Sequence, residues 1–180
     1  MDLFQKCREY THAKDVMALG VYPFFHMLTS GQDTVVMMEG HRTIMLGSNN
    51  YLGLTADPRV KEAAIKAVEK YGSGCSGSRF LNGTLDLHVE LEAALAAFLQ
   101  KEDCLVFSTG FQSNLSIISS IASRGDYILS DSMNHASIVD GTRLSFAKTI
   151  KFKHSDMADL ERLLQHCAAD EKAGILIITD

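Results

Sequence analysis

Two short runs hold the residues with the clearest chemical use. Ser108-Thr109-Gly110-Phe111 closes an apolar, strand-like stretch, Cys104 to Phe107, and opens a helix-like one, Gln112 to Ile121. A helix that starts on a small, glycine-containing turn offers backbone N–H groups without intrahelical partners and the positive end of the helix dipole, so it can hold a phosphate. Further on, Asn134-His135-Ala136-Ser137 puts a flat imidazole just past the apolar stretch Tyr127 to Ser130. Together the runs point to a phosphorylated, planar cofactor, with phosphate on Gly110 and Phe111 and His135 over a ring. Taken singly, each has an ordinary reading. Any α/β protein has helix starts with small residues, and a loop histidine is commonly structural or solvated.

The elements that must position these runs are legible from the pattern. A helix-like stretch opens residues 1–30. Thr34 to Met38 and Arg42 to Leu46 flank Glu39-Gly40-His41 and read as a β-hairpin, followed by a loop over Ser48 to Leu54. Asp57-Pro58 starts a helix, with Asp as cap and Pro in the first turn; Val60, Ala64, Ala67, Val68 and Tyr71 form its apolar stripe and Gly72 ends it. A Gly/Ser loop runs from Gly72 to Thr84, and Leu87, Leu91, Ala94, Leu95 and Phe98 mark the next helix. Beyond it, strands centred near 106, 129, 151 and 177 alternate with helices over 111–123, about 135–146 and 156–168, the last capped by Asp156. Strand–helix–strand units of this length predict right-handed crossovers and a largely parallel sheet in an α/β fold. The stretch Gly174 to Asp180 is the most apolar strand and reads as a central one, buried on both faces. A domain should not stop on such a strand, and the 180 residues read as the front of a longer polypeptide.

Composition removes several classes of function. The chain is 46% hydrophobic with a net charge of -5, and no basic cluster supports nucleic-acid binding. No apolar run approaches the roughly 20 residues of a membrane-spanning helix, and the N-terminus has no signal-peptide core. Cysteines 7, 75, 104 and 167 form no CxxC pair. Cys104 and Cys167 sit in apolar patterns and read as buried thiols, in keeping with a reducing cytoplasm and no structural metal.

One motif misleads. Gly72-Ser-Gly74-Cys-Ser-Gly77 matches G-x-G-x-x-G letter for letter. A dinucleotide fingerprint must follow a strand and open a helix. This one follows a helix and leads into Arg79-Phe80-Leu81, so its glycines are expected to permit close backbone approach instead.

The motifs, taken in order, resemble a known family. Asn49-Asn50-Tyr51-Leu52-Gly53-Leu54, the run Gly72 to Thr84, His88 with Glu90-Leu91-Glu92, Phe107 to Phe111, and Asn134 to Gly141 are similar in order and spacing to the α-oxoamine synthases. The resemblance covers nearly the whole chain. It implies pyridoxal 5′-phosphate (PLP) as cofactor and an aspartate aminotransferase-like, fold-type I PLP-dependent transferase, of which this is the front half. Residues 1–56 would be an N-terminal helix, hairpin and substrate-loop segment, and 57–180 the front of the large PLP-binding α/β domain. The implied reaction condenses an amino acid with an acyl thioester, such as an acyl-CoA, and releases CO2. The stretches 16–24 and 74–84 are most similar to the soluble bacterial branch that takes serine; glycine and alanine are the competing amino donors.

Carried over position by position, the resemblance makes Gly110 and Phe111 the holders of the PLP phosphate through their backbone amides. His135 becomes the residue that stacks on the pyridine ring and contacts the substrate carboxylate. Asn49 or Asn50 binds that carboxylate, with the choice between them open. The Gly72–Thr84 loop would lie near the interface of a homodimer with shared active sites. The family's Schiff-base lysine, its pyridine-nitrogen aspartate and a histidine near the cofactor's 3′-oxygen are expected C-terminal to position 180. No lysine here lies in the family's small-hydroxyl loop, and Lys148 is the nearest imitation. Without that lysine the 180 residues alone are expected to be inactive. A non-catalytic PLP-fold partner subunit is the alternative from a different class.

Overall fold

The structure is a computed structural model and describes residues 2–180. Its contacts divide the chain into two compact units, Met1–Gly83 and Thr84–Asp180.

In the N-terminal unit, α1 (Gln5–Glu9) and α2 (His12–Ala18) precede an antiparallel hairpin of β1 (Val35–Met38) and β2 (His41–Ile44). Met38 pairs with His41, so Glu39-Gly40 is a two-residue turn with φ of 49° and 82°. Two left-handed residues in succession match the twist of the flanking strands, and glycine takes one of these positions without strain. Val36, on the hairpin, is the unit's one buried large apolar side chain among the described residues. Asp57 caps α3 (Pro58–Tyr71) by accepting the Arg59 N–H at 2.8 Å, and Gly72, at φ 82°, ends it, as the sequence predicts.

The Gly/Ser loop after α3 folds back on itself. A side chain at Gly77 would run into the Asn82 carboxamide, and one at Gly83 into the Gly77 carbonyl. The Gly83 N–H closes the loop on the Ser78 carbonyl at 2.8 Å. These glycines therefore serve close packing of backbone on backbone.

The C-terminal unit opens with α4 (Asp86–Leu99). Next come α5 (Gly110–Ile121), β3 (Tyr127–Asp131), α6 (Ala136–Leu144), β4 (Lys148–Phe152), α7 (Met157–Ala168) and β5 (Ile175–Ile178). The strands form one parallel sheet in the order β4-β3-β5. Successive residues of a strand face opposite sides, and β3 uses both. Ile128 packs with Ile118, Ala122 and Ile138 of the α5–α6 layer, while Leu129 packs with Phe152 and with Leu163 and Cys167 of α7. The result is a helix–sheet–helix sandwich.

Two expectations need correction. The strand near 106 is absent: Cys104–Phe107 pairs with no strand among the described residues, and the Val106 N–H donates to the Glu92 carboxylate at 2.9 Å. Cys104 is accordingly half-buried, whereas Cys167 is fully buried. Of the three strands described, β3 is the one with neighbours on both edges and helices over both faces. Among the described residues β5 pairs with β3, and Ile177 is 43% exposed.

The α5–α6 contact is close because of Gly141. A Cβ there would lie 3.0 Å from Ile118 Cδ1 and 3.1 Å from the Asn114 carbonyl oxygen. Gly141→Val should overpack this contact and lower stability by about 1–3 kcal/mol. A reduced denaturation midpoint at unchanged m-value checks it.

Candidate functional site

The exit of β3 builds the candidate site of the C-terminal unit. Asp131, the last residue of the strand, is buried, at 3% exposure. Its carboxylate accepts the Met133 N–H at 2.8 Å and the Ser155 N–H at 3.3 Å, and lies 3.0 Å from Nδ1 of His154. The Met133 amide above all, with help from His154 and Ser155, holds the Asp131 carboxyl below the usual carboxylate range against the opposing cost of desolvation. The turn after β3 is thereby tied to the turn after β4. Asn134, also buried, donates from Nδ2 to Ser130 Oγ at 3.0 Å and to the Ile178 carbonyl at 2.9 Å, which ties the same turn to β5.

His135 then caps α6. Its Nδ1 accepts the Ser137 N–H at 3.1 Å, so the imidazole does the work of a capping carboxylate or hydroxyl. The residue remains exposed. The Phe111 ring meets it edge-on, with centroids 6.3 Å apart and planes at 75°. Phe111 is the second residue of α5, and Gly110 the first. Thr109 Oγ1 accepts the Gln112 N–H at 3.1 Å, while no hydrogen bond among the described residues uses the amides of Gly110 or Phe111. A methyl group on Gly110 would meet nothing within 4 Å. The start of α5 thus combines unused amide donors, open space and a neighbouring exposed imidazole. A phosphate ester carried on a flat ring fits that donor set.

Asn49 and Asn50 lie in the N-terminal unit. With Gln32, Ser48, Tyr51 and Thr55 they line a cleft of about 460 Å³. The two are held differently. Asn50 is half-buried, and its side-chain oxygen accepts the Thr55 N–H at 3.2 Å, so the carboxamide is oriented with its NH2 left to donate. Asn49 is exposed, and no hydrogen bond among the described residues fixes its side chain. Lys148 sits at the start of β4, opposite Tyr127 at the start of β3, with its ammonium 5.4 Å from the Tyr127 ring. That is the end of the sheet opposite His135.

Asp131 and Asn114 were not picked out from the sequence, and Asn134 and Ser137 were named only as neighbours of His135. All four are ordinary polar letters whose value lies in their partners. The signal that could have exposed Asp131 is its place as an acidic residue closing an apolar strand. His88 proves to be a cap, with Nδ1 accepting the Leu85 N–H at 3.0 Å.

Comparison with known proteins places this geometry in a class. Residues 42–180 match the model of the family described as aminotransferase class I and II. A serine palmitoyltransferase of Bacteroides ovatus is 55% identical over 97% of this chain and 44% of its own length. An 8-amino-7-oxononanoate synthase of Lysinibacillus sphaericus is 46% identical over 86% of the chain and 39% of its own. Among solved structures, a serine palmitoyltransferase variant from S. paucimobilis, with a bound PLP–myriocin aldimine, superposes with a TM-score of 0.91 at 37% identity, covering 98% of this chain and 46% of that one. The chain belongs to the class I and II aminotransferase family, and within it to the α-oxoamine synthases. It spans less than half the length of these relatives. No helix among the described residues is long and apolar enough to cross a membrane.

Because the folded state holds Asp131 below its unfolded value, its contribution to stability is fully present above about pH 4 and is lost as pH falls through the lowered folded value. Asp131→Asn should start less stable at neutral pH and lose less between pH 5 and the acid limit than the parent does. Denaturation midpoints measured across that range check it.

Proposed function

We propose that a protein carrying this chain is a PLP-dependent C-acyltransferase that joins an amino acid, serine, to an acyl thioester with loss of CO2. The observation that carries the proposal is the pair of unused amides at the start of α5 beside the exposed His135 ring. The similarity to serine palmitoyltransferases supports serine as donor, and that to 8-amino-7-oxononanoate synthases supports a related acyl condensation as the second reading.

In this reading the N–H groups of Gly110 and Phe111 bind the phosphate, where two backbone donors and the helix dipole favour an anion. His135 lies over the ring. With Nδ1 committed to the Ser137 amide, the ring's remaining nitrogen is the one able to donate to a substrate carboxylate. Of the two asparagines we favour Asn50 as amide donor to the substrate, because its oxygen is already held and its NH2 is presented. PLP, when bound, supplies an electron sink for charge developing at the substrate α-carbon. The residues of this chain contribute binding and orientation, which set how the bond to be broken stands relative to the ring. A homodimer with the 72–84 loop near its interface is part of the proposal; Phe80, 93% exposed on that loop, supports it.

In the full-length protein, His135→Ala should still bind PLP, because the phosphate donors are backbone groups. It should lose on the order of tenfold or more in rate, the equivalent of one hydrogen bond to a charged group at about 1.5–3 kcal/mol. A serine titration of the cofactor's visible spectrum and steady-state rates with an acyl thioester test this. Wild-type serine affinity and rate would remove His135 from the site.

We also propose that these 180 residues do not include the lysine that holds the cofactor aldehyde, and that alone they are inactive. The place of Lys148 at the opposite end of the sheet supports this. Incubation of the purified chain with PLP, borohydride reduction and peptide mapping should give only scattered, substoichiometric lysine labelling. One dominant stoichiometric adduct would overturn it.

A further inference from the structure

We infer that Asn114 and Ser137 form a hydrogen-bond relay that fixes both the tautomer and the ring plane of His135. They are positioning residues for whatever that imidazole faces. Asn114, half-buried on α5, donates from Nδ2 to Ser137 Oγ at 2.9 Å. Ser137, 1% exposed in the first turn of α6, has its Oγ 2.7 Å from His135 Nδ1, and its own N–H donates to the same nitrogen at 3.1 Å.

The directions follow from counting hydrogens. A hydroxyl has one hydrogen and two acceptor lone pairs. The Asn114 amide fills one lone pair, and because the Ser137 N–H already requires an acceptor at Nδ1, the 2.7 Å contact from Oγ to that nitrogen carries the hydroxyl hydrogen. A backbone N–H can only donate, so it fixes Nδ1 as an acceptor, and the two donors share its single in-plane lone pair. Both donors demand an unprotonated Nδ1, and the neutral ring then carries its hydrogen on Nε2. The relay spans the α5–α6 contact that Gly141 makes close, since a Cβ at Gly141 would lie 3.1 Å from the carbonyl oxygen of Asn114 itself. The helix pair that presents the unused α5 amides is thus the one that sets the imidazole's donor face. A ring held this way, on an exposed residue, offers a single N–H donor, which suits a carboxylate.

The link to chemistry rests on the proposed role of His135, but the relay is measurable without cofactor. In protein labelled with ¹⁵N-histidine, long-range ¹H–¹⁵N correlation spectra report which ring nitrogen carries hydrogen, with His135 assigned by its loss in His135→Asn. The parent should show the Nε2–H pattern. Ser137→Ala removes one of the two donors to Nδ1 and should move the tautomer ratio toward Nδ1–H by about fivefold, the worth of one neutral hydrogen bond. Asn114→Asp turns the amide donor into an acceptor that draws the Ser137 hydrogen away from His135, and should shift the ratio in the same direction. Asn114→Leu removes the donor yet leaves the hydroxyl free to serve Nδ1, and should keep the Nε2–H pattern. The contrast between the Asp and Leu variants separates a relay from simple loss of packing.

An Nδ1–H pattern in the parent, or no shift in both Ser137→Ala and Asn114→Asp, would overturn the relay. In the holoenzyme, Ser137→Ala should raise KM for the amino acid more than it lowers kcat. Expected tautomers together with wild-type serine affinity and rate in His135→Ala would leave the relay standing and remove only the assignment of His135 to the cofactor site.

Discussion

A carboxylate taken out of water at the end of a parallel strand must be answered by donors, and Asp131 is answered by two backbone amides and an imidazole. The position of everything that follows depends on this. The Met133 amide bends the chain directly after β3, and Ser155 and His154 bind that bend to the turn leaving β4. Asn134 adds the tie to β5. By the time the chain reaches His135 its path is fixed against both neighbouring strands, so the imidazole enters α6 as a cap at a defined place.

The sheet makes this precision possible. β3 is buried on both faces, with α5 and α6 on one side and α7 on the other, so its end cannot shift without disturbing two cores. The α5–α6 pair is held close by a buried glycine, and the two helix starts come together where Phe111 meets His135. The unused amides at the start of α5 and the exposed imidazole of His135 are then set by the same packing. No side chain there needs to be charged for the arrangement to favour an anion, because the donors and the helix dipole supply the field.

Much of the architecture was legible in the sequence. The hairpin, α3 with its Asp–Pro start and glycine end, the cap of α7 and the parallel strand–helix alternation all rest on local rules, and local rules act within a few residues. The decoy motif could also be dismissed locally, since a helix precedes it. The stretch near 106 shows where local rules fail. Apolar run length is a local property, whereas pairing depends on distant partners. Cys104–Phe107 has no partner strand among the described residues.

The sequence by itself determined which residues could do chemistry: Gly110 and Phe111 from a small-residue helix start and His135 from its place after a strand, while the asparagine pair came only with the family resemblance. Residue type and spacing suffice for that, because amide donors at a helix start and an imidazole past a strand follow from secondary structure alone. Only the tertiary structure decided how those groups are held. It oriented Asn50 through Thr55, left Asn49 unfixed, sent Lys148 to the far end of the sheet, and turned His135 Nδ1 inward to Ser137. Each of these is a hydrogen bond, a strand register or a ring contact, and its direction exists only once both partners have been placed in space.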